Sequence, residues 1–256
     1  MAPAPETVLV IGATGNIGTS AIQGALKAGY KVLAIVRNLD SAEKLFKNIG
    51  TKEGVTTVEA DIISDIGVQS VVDQVKAGKL PQFQHVYSCV GQPYGMMCLT
   101  EIDNETLEHH MSINFAPNFY AYRATVPYLL DLAHPTSTWT LCTGAQGDMG
   151  VFPAPAMTQG ALFSMANAAA RELEKTNVRF NEVYLAFRVE IDAEAEKHGA
   201  VKSSQFGNVY AMLLGKSDIR SERVLVIEEG DMTTLRTGGM GWRGESLGGV
   251  KKWAPE

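Results

Sequence analysis

Three glycines spaced three apart, Gly12, Gly15 and Gly18, end the apolar run Val8–Ile11 and open an amphipathic segment. A tight turn of this kind, Gly12-Ala13-Thr14-Gly15-Asn16-Ile17-Gly18, leaves backbone N–H groups beside a helix N-terminus, where a phosphate or pyrophosphate binds. A glycine pattern alone is weak. A strand before it, a helix after it and a second strand about twenty residues on make it specific. That second strand, Lys31–Val36, ends in Arg37-Asn38. An acidic residue there would accept from a ribose 2′-OH, whereas a guanidinium pairs with a 2′-phosphate and stacks on adenine. The residues therefore favour NADP(H) over NAD. Asp40 is expected to cap the helix 41–48.

Other reactive side chains are sparser. Cys89, Cys98 and Cys142 form no metal-type cluster, and an odd count fits reduced thiols in a cytoplasmic protein. His109 and His110 are adjacent and point apart, so they cannot act as an i, i+4 metal pair, and no metal is expected.

The elements that hold these residues follow from periodicity. Short apolar runs at 8–11, 31–36, 55–59, 85–90, 138–143, 178–185 and 223–227 read as strands. Helical stripes separate them, at 17–28, 41–48, 67–77, from an Asp103 cap to Leu132 with a kink expected at Pro127, at 157–175, 193–197 and 204–214. Alternating strands and helices imply right-handed crossovers. The expected fold is α/β, a Rossmann-like doubly wound parallel sheet of seven strands in the order 3-2-1-4-5-6-7. Residues 1–229 read as one domain. Residues 230–256 are Gly-rich and aperiodic, and read as a mobile tail or an arm for a partner subunit. Two loops, 91–99 with Tyr94, Met96, Met97 and Cys98, and 144–156 with Asp148 and Phe152, fall at the carboxyl ends of strands, where such sheets bind ligands.

The chain resembles the short-chain dehydrogenase/reductase family from Val8 to about Glu229. Gly12, Gly15 and Gly18 match its glycine turn. Asp61, with Ile62 beside it, matches the acidic residue used near adenine. Ser88-Cys89-Val90-Gly91 stands where the family has a short Asn/Gly-rich strand end. Ser112-Ile113-Asn114-Phe115 matches the helix carrying its active-site Asn. Val178–Val183 matches the strand leading to its nicotinamide loop. The catalytic half departs. The family's hydride chemistry uses a Tyr, a Lys four residues on, and a Ser about thirteen before the Tyr. Here Pro155 and Gln159 fall at the Tyr and Lys positions, and Cys142 or Thr143 at the Ser position.

Ketone reduction develops an alkoxide that needs a proton donor near the working pH. A Pro and a neutral amide supply none, so Tyr94 or Cys142 would have to substitute. Iminium reduction needs hydride alone. Asp148 is the candidate counter-charge, and Tyr94 and Phe152 are candidate walls. In outline the chain is similar to fungal specialised-metabolism members in prenylated indole alkaloid pathways. That resemblance implies NADPH-dependent reduction of an iminium or aldehyde and control of an intramolecular [4+2] cyclisation. Arg123, Asp148 and Arg188 are then the charged groups of interest. The alternatives are a ketone reductase with a substitute donor and a catalytically dead NADP-binding sensor or scaffold.

The net charge of −6 over 256 residues disfavours nucleic acid and anionic membranes, and no run is long enough for a membrane span. The expected partner is a small apolar or cationic substrate. A homodimer or homotetramer is expected from the family's habit and the alanine-rich 160–171 face.

Overall fold

The computed structural model describes residues 5–91 and 95–240. The first half alternates strand and helix: β1 (Thr7–Ile11), α1 (Asn16–Lys27), β2 (Lys31–Val36), α2 (Leu39–Ile49), β3 (Val55–Glu59), α3 (Gly67–Lys76) and β4 (His85–Ser88). Next come α4 (Asn104–His110), a π-helical turn at Met111–Phe115, and α5 (Ala116–Leu132). Then follow β5 (Thr138–Gly144), α6 (Gln146–Met149), α7 (Pro153–Glu172), β6 (Arg179–Leu185), β7 (Val189–Glu190), α8 (Asp192–His198), β8 (Val201–Lys202), α9 (Ser203–Gly215), β9 (Glu222–Val226) and β10 (Arg236–Gly239).

The main sheet has eight strands in the order β10-β9-β6-β5-β4-β1-β2-β3. Its seven parallel strands stand in the order expected from the sequence. The correction is β10, antiparallel to β9 with Arg236 opposite Leu225, in a stretch read as unstructured tail. Residues 241–256 of that stretch lie outside the described residues.

Both sheet faces are covered, so the strands carry continuous apolar runs. Leu9, Ile11, Val86, Trp139, Leu141 and Phe180 face α3, α5 and α7. Val8, Val10, Tyr87, Val183 and Val224 face α1, α2 and α9. α1 and α9 touch backbone to backbone: a Cβ on Gly24 would lie 2.2 Å from the Gly207 carbonyl oxygen. At the far end of the sheet the buried Arg179 guanidinium caps α9, donating to the carbonyls of Leu213, Leu214, Lys216 and Ile219. Leu213 and Leu214 belong to the last turn of α9, whose carbonyls lack i+4 partners within the helix, and Lys216 and Ile219 to the turn that follows.

Some boundaries move. Asn38, not Asp40, caps α2, accepting from Ser41 N–H at 2.9 Å. Asp103 caps α4 as expected, through Thr106 N–H at 2.8 Å. The break in the long helix lies at the π turn rather than at Pro127, which sits inside α5. Part of the expected 144–156 loop is the short helix α6, and α7 begins at Pro153 because a Pro is tolerated in a helix's first turn. Among the described residues no helix is long and apolar enough to cross a membrane.

Candidate active site

The glycine turn builds the floor of a cleft. Gly12 has φ +86°, and a Cβ there would stand 3.0 Å from the Cys89 carbonyl oxygen. Gly18 is tighter still: its Cβ would lie 2.1 Å from the Gly12 carbonyl oxygen. Only glycine lets α1 start this close to β1 and β4. On the far side Gly67 brings the start of α3 onto Asp61, whose Oδ1 accepts from Ile63 N–H at 3.0 Å.

The resulting cleft has a volume of about 330 Å³. It gathers Gly12, Thr14, Gly15, Arg37, Asp61, Ile62, Cys89, Val90 and Gly91 from the ends of four adjacent strands. Ser41, Lys44 and Ile113 also line it, and the sequence reading did not single them out. The signal was spacing: residues 41 and 44 fall one helical turn apart at the start of α2, beside Arg37.

Asn16, Ile17, Gly18, Asn38 and Asn114 are not cleft walls. Asn16 Oδ1 accepts from Ile191 N–H at 3.3 Å, tying the glycine turn to the segment after β6. Gly18 acts through close packing. Asn38 is committed to its cap. Asn114 is buried in the π turn, with its Oδ1 3.9 Å from where a Gly91 Cβ would be. Asn118, missed in the sequence, holds that turn. Its Oδ1 accepts from Ser88 Oγ at 2.7 Å and Val90 N–H at 3.2 Å, and its Nδ2 donates to the carbonyls of Val90 and Asn114. A π turn at such a junction is a frequent mark of function.

At the end of β5 the chemistry is unusual. Gln159 on α7 is buried, and its Oε1 accepts from Gly144 N–H at 2.7 Å. Pro155 is buried one turn earlier. Thr143 Oγ1 donates to Glu182 Oε1 at 2.7 Å. Cys142 points to the opposite face, toward Tyr87, and burial pushes its thiol up to about 12. It is therefore not a poised proton donor, which corrects that expectation. Asp148 on α6 is exposed, and Tyr184 donates to its Oδ2 at 2.8 Å. Burial, then the bond to Asp148, pushes the Tyr184 phenol up to about 12.

The two arginines of interest are engaged elsewhere. Arg123 donates to the Asp65 carbonyl at 2.9 Å and lies over Phe119 and Tyr120. Arg188 pairs with Glu190, which also binds His198. Neither shares a partner with Asp148. Tyr94 lies outside the described residues. His109 and His110 meet edge-on at 5.9 Å.

Residues 6–197 match the short chain dehydrogenase profile, three quarters of the chain. The protein belongs to the short-chain dehydrogenase family. This short-chain dehydrogenase is 53% identical over 236 residues to the short-chain dehydrogenase/reductase iacG of Pestalotiopsis fici, covering 90% of this chain and 95% of that one. Its fold matches a short-chain dehydrogenase/reductase of the glucose/ribitol dehydrogenase type from Brucella melitensis, with TM-score 0.70 at 20% identity over 86% and 94% of the two chains. It also matches ElxO with NADP bound, with TM-score 0.74 at 14% identity over 90% and 100%. By family the protein is an oxidoreductase acting on small molecules.

Proposed function

We propose that this protein binds NADPH and reduces a cationic, iminium-type intermediate of specialised metabolism without a Tyr/Lys acid–base pair. One observation carries the reading. α7, the helix packed on the end of β5, contains neither Tyr nor Lys, and Pro155 and Gln159 occupy its first two turns. Pro155 has no donor. Gln159 is a neutral amide whose oxygen accepts from Gly144 N–H, and an amide does not give up a proton near neutral pH.

The residues present fit a nicotinamide dinucleotide. The glycine turn admits a pyrophosphate against backbone N–H groups. Arg37 and Lys44 supply two cations for a 2′-phosphate. Asp61, Ile62, Cys89, Val90 and Gly91 complete the lining of the cleft. The ElxO structure holds NADP on the same fold. When bound, NADPH supplies hydride.

This chain's own part is binding, orientation and charge. A hydride added to an iminium carbon leaves a neutral amine, so no donor is required. A ketone or aldehyde would end as an alkoxide, to which neither Pro155 nor Gln159 can give a proton. Asp148 places a carboxylate on the crevice side of β5, favouring a positive substrate. A [4+2] cyclisation there needs only walls that hold a folded intermediate. Pairing of two copies through α5 and α7 is part of the proposal, since Phe119 and Met157 are exposed on them. Light scattering showing a dimer or tetramer supports it, and a monomer alone would remove it. The functional test is NADPH consumption with a cyclic iminium and its ketone counterpart. Turnover of the iminium alone is expected, and a ketone turned over equally well overturns the reading.

A further inference from the structure

β4 ends at Ser88, which pairs with Leu141 of β5, so Cys89 and Cys142 are the next residues on two neighbouring parallel strands. Both side chains fall on the sheet face covered by α1, α2 and α9, and both thiols are free. Neighbouring strands lie about 4.7–4.9 Å apart. A disulfide joins Cα atoms about 4.4–6.8 Å apart. The two sulfurs therefore stand within bonding reach of one another.

The two cysteines are held differently. Cys142 lies inside β5 and pairs with Val183 of β6. Cys89 lies one residue past β4 and lines the cleft. Its N–H donates to the Ile11 carbonyl at 3.1 Å, and its Sγ donates to the same oxygen at 3.4 Å. Its own carbonyl oxygen stands 3.0 Å from where a Gly12 Cβ would be, directly against the glycine turn. A disulfide also needs Cβ atoms about 3.5–4.5 Å apart, closer than side-by-side strands hold them. Closure therefore draws Cys89 toward β5 and takes its thiol off Ile11. The cleft wall against Gly12 moves with it.

We propose that Cys89 and Cys142 form a modification site: when no dinucleotide occupies the cleft, a peroxide joins them in a disulfide, and the shift of Cys89 lowers the affinity for NADPH. This rests on the cofactor reading of the cleft. The Cys89 sulfur attacks the peroxide O–O bond, giving a sulfenic acid and one water. The Cys142 sulfur then displaces the sulfenic oxygen, which leaves as a second water. Two S–H bonds break and one S–S bond forms. Both sulfurs are oxidised, and the peroxide is reduced. Burial pushes both thiols up, Cys142 to about 12, so thiolate is scarce and the site answers sustained exposure to oxidant.

The test uses the full chain with Cys98→Ser, which removes the exposed third thiol. Reduced protein meets hydrogen peroxide with or without saturating NADP+, and is then acid-quenched, alkylated and mapped by mass spectrometry without reduction. The expected product is a linked Cys89–Cys142 peptide pair lacking two hydrogens. NADP+ should slow its formation at least tenfold. NADPH affinity by fluorescence should fall at least tenfold on oxidation and return with dithiothreitol. With Cys142→Ser added, no link forms, and dimedone should trap the Cys89 sulfenic acid. Should that variant not fold, the peptide map of the Cys98→Ser protein decides alone. Oxygen added to either sulfur without a link, or a link that leaves NADPH affinity unchanged, overturns the proposal. Reduced protein that binds no NADPH sinks the cofactor reading, while the peptide map still decides whether the pair closes.

Discussion

Glu182 Oε2 and Arg223 Nε lie 2.8 Å apart, and the carboxylate has no exposed surface. Removing one partner strands a buried charge. Arg223→Met is expected to cost about 3–5 kcal/mol in urea unfolding, whereas the double Glu182→Met/Arg223→Met variant should recover most of it. A single variant as stable as the wild type would mean that the pair is solvated in solution.

The glycines of α1 separate fold from binding. A Cβ at Gly18 would stand 2.1 Å from the Gly12 oxygen and 2.7 Å from Ala13 Cα, inside the turn. Gly18→Ala should weaken NADPH binding at least tenfold, or about 1.4 kcal/mol. A Cβ at Gly24 would stand 2.2 Å from the Gly207 oxygen, far along the helix. Gly24→Ala should cost about 1–3 kcal/mol of stability from overpacking and leave cofactor affinity nearly unchanged. Fluorescence titration and thermal unfolding of both variants separate the two effects.

Arg37 and Lys44 line the same end of the cleft. A charge-assisted hydrogen bond contributes about 1.5–3 kcal/mol. Arg37→Asp should therefore weaken NADPH about ten- to hundredfold and spare NADH. Equal losses for both cofactors would place Arg37 away from the 2′-phosphate.

Acid should destabilise the sheet at the N-terminal ends of its central strands, where β4 begins with His85. His85 is buried between Thr138, at 2.9 Å from Nδ1, and Glu6, at 2.6 Å from Nε2, with Tyr30 edge-on. Burial pushes its imidazole down from 6.5 to about 4, although Glu6 pulls the other way. The folded state then binds fewer protons than the unfolded one between those values. Stability is full above about 6.5 and declines as pH falls toward 4, by on the order of 3 kcal/mol. Glu6 acts in the same sense at lower pH: burial raises its carboxyl, but bonds from Thr136 and His85 outweigh that and lower it. Urea midpoints at pH 7 and pH 4.5 should differ for the wild type and differ less for His85→Gln.

The central parallel strands were legible because they are apolar runs covered on both faces, and β3 because Val55-Thr56-Thr57-Val58 is β-branched throughout. β10 was not, because Arg236-Thr-Gly-Gly carries no apolar alternation and joins the sheet through its backbone. Gly12, Arg37 and Asp61 were legible because local spacing and strand ends place them. Glu182 and Arg223 were not, because 41 residues separate them and only the β6–β9 register joins them. Asn118 was hidden for the same reason, since its partners Ser88 and Val90 lie on another element. Cys142 was misjudged because strand alternation, not nearness in sequence, decides which face a side chain takes.

The most direct test of the account is the loss of NADPH absorbance with protonated 3,4-dihydroisoquinoline against 2-tetralone, at equal concentrations and with the wild-type protein. The account predicts steady consumption with the imine and at least a tenfold lower kcat/KM with the ketone. Equal rates, or turnover of the ketone alone, would contradict it.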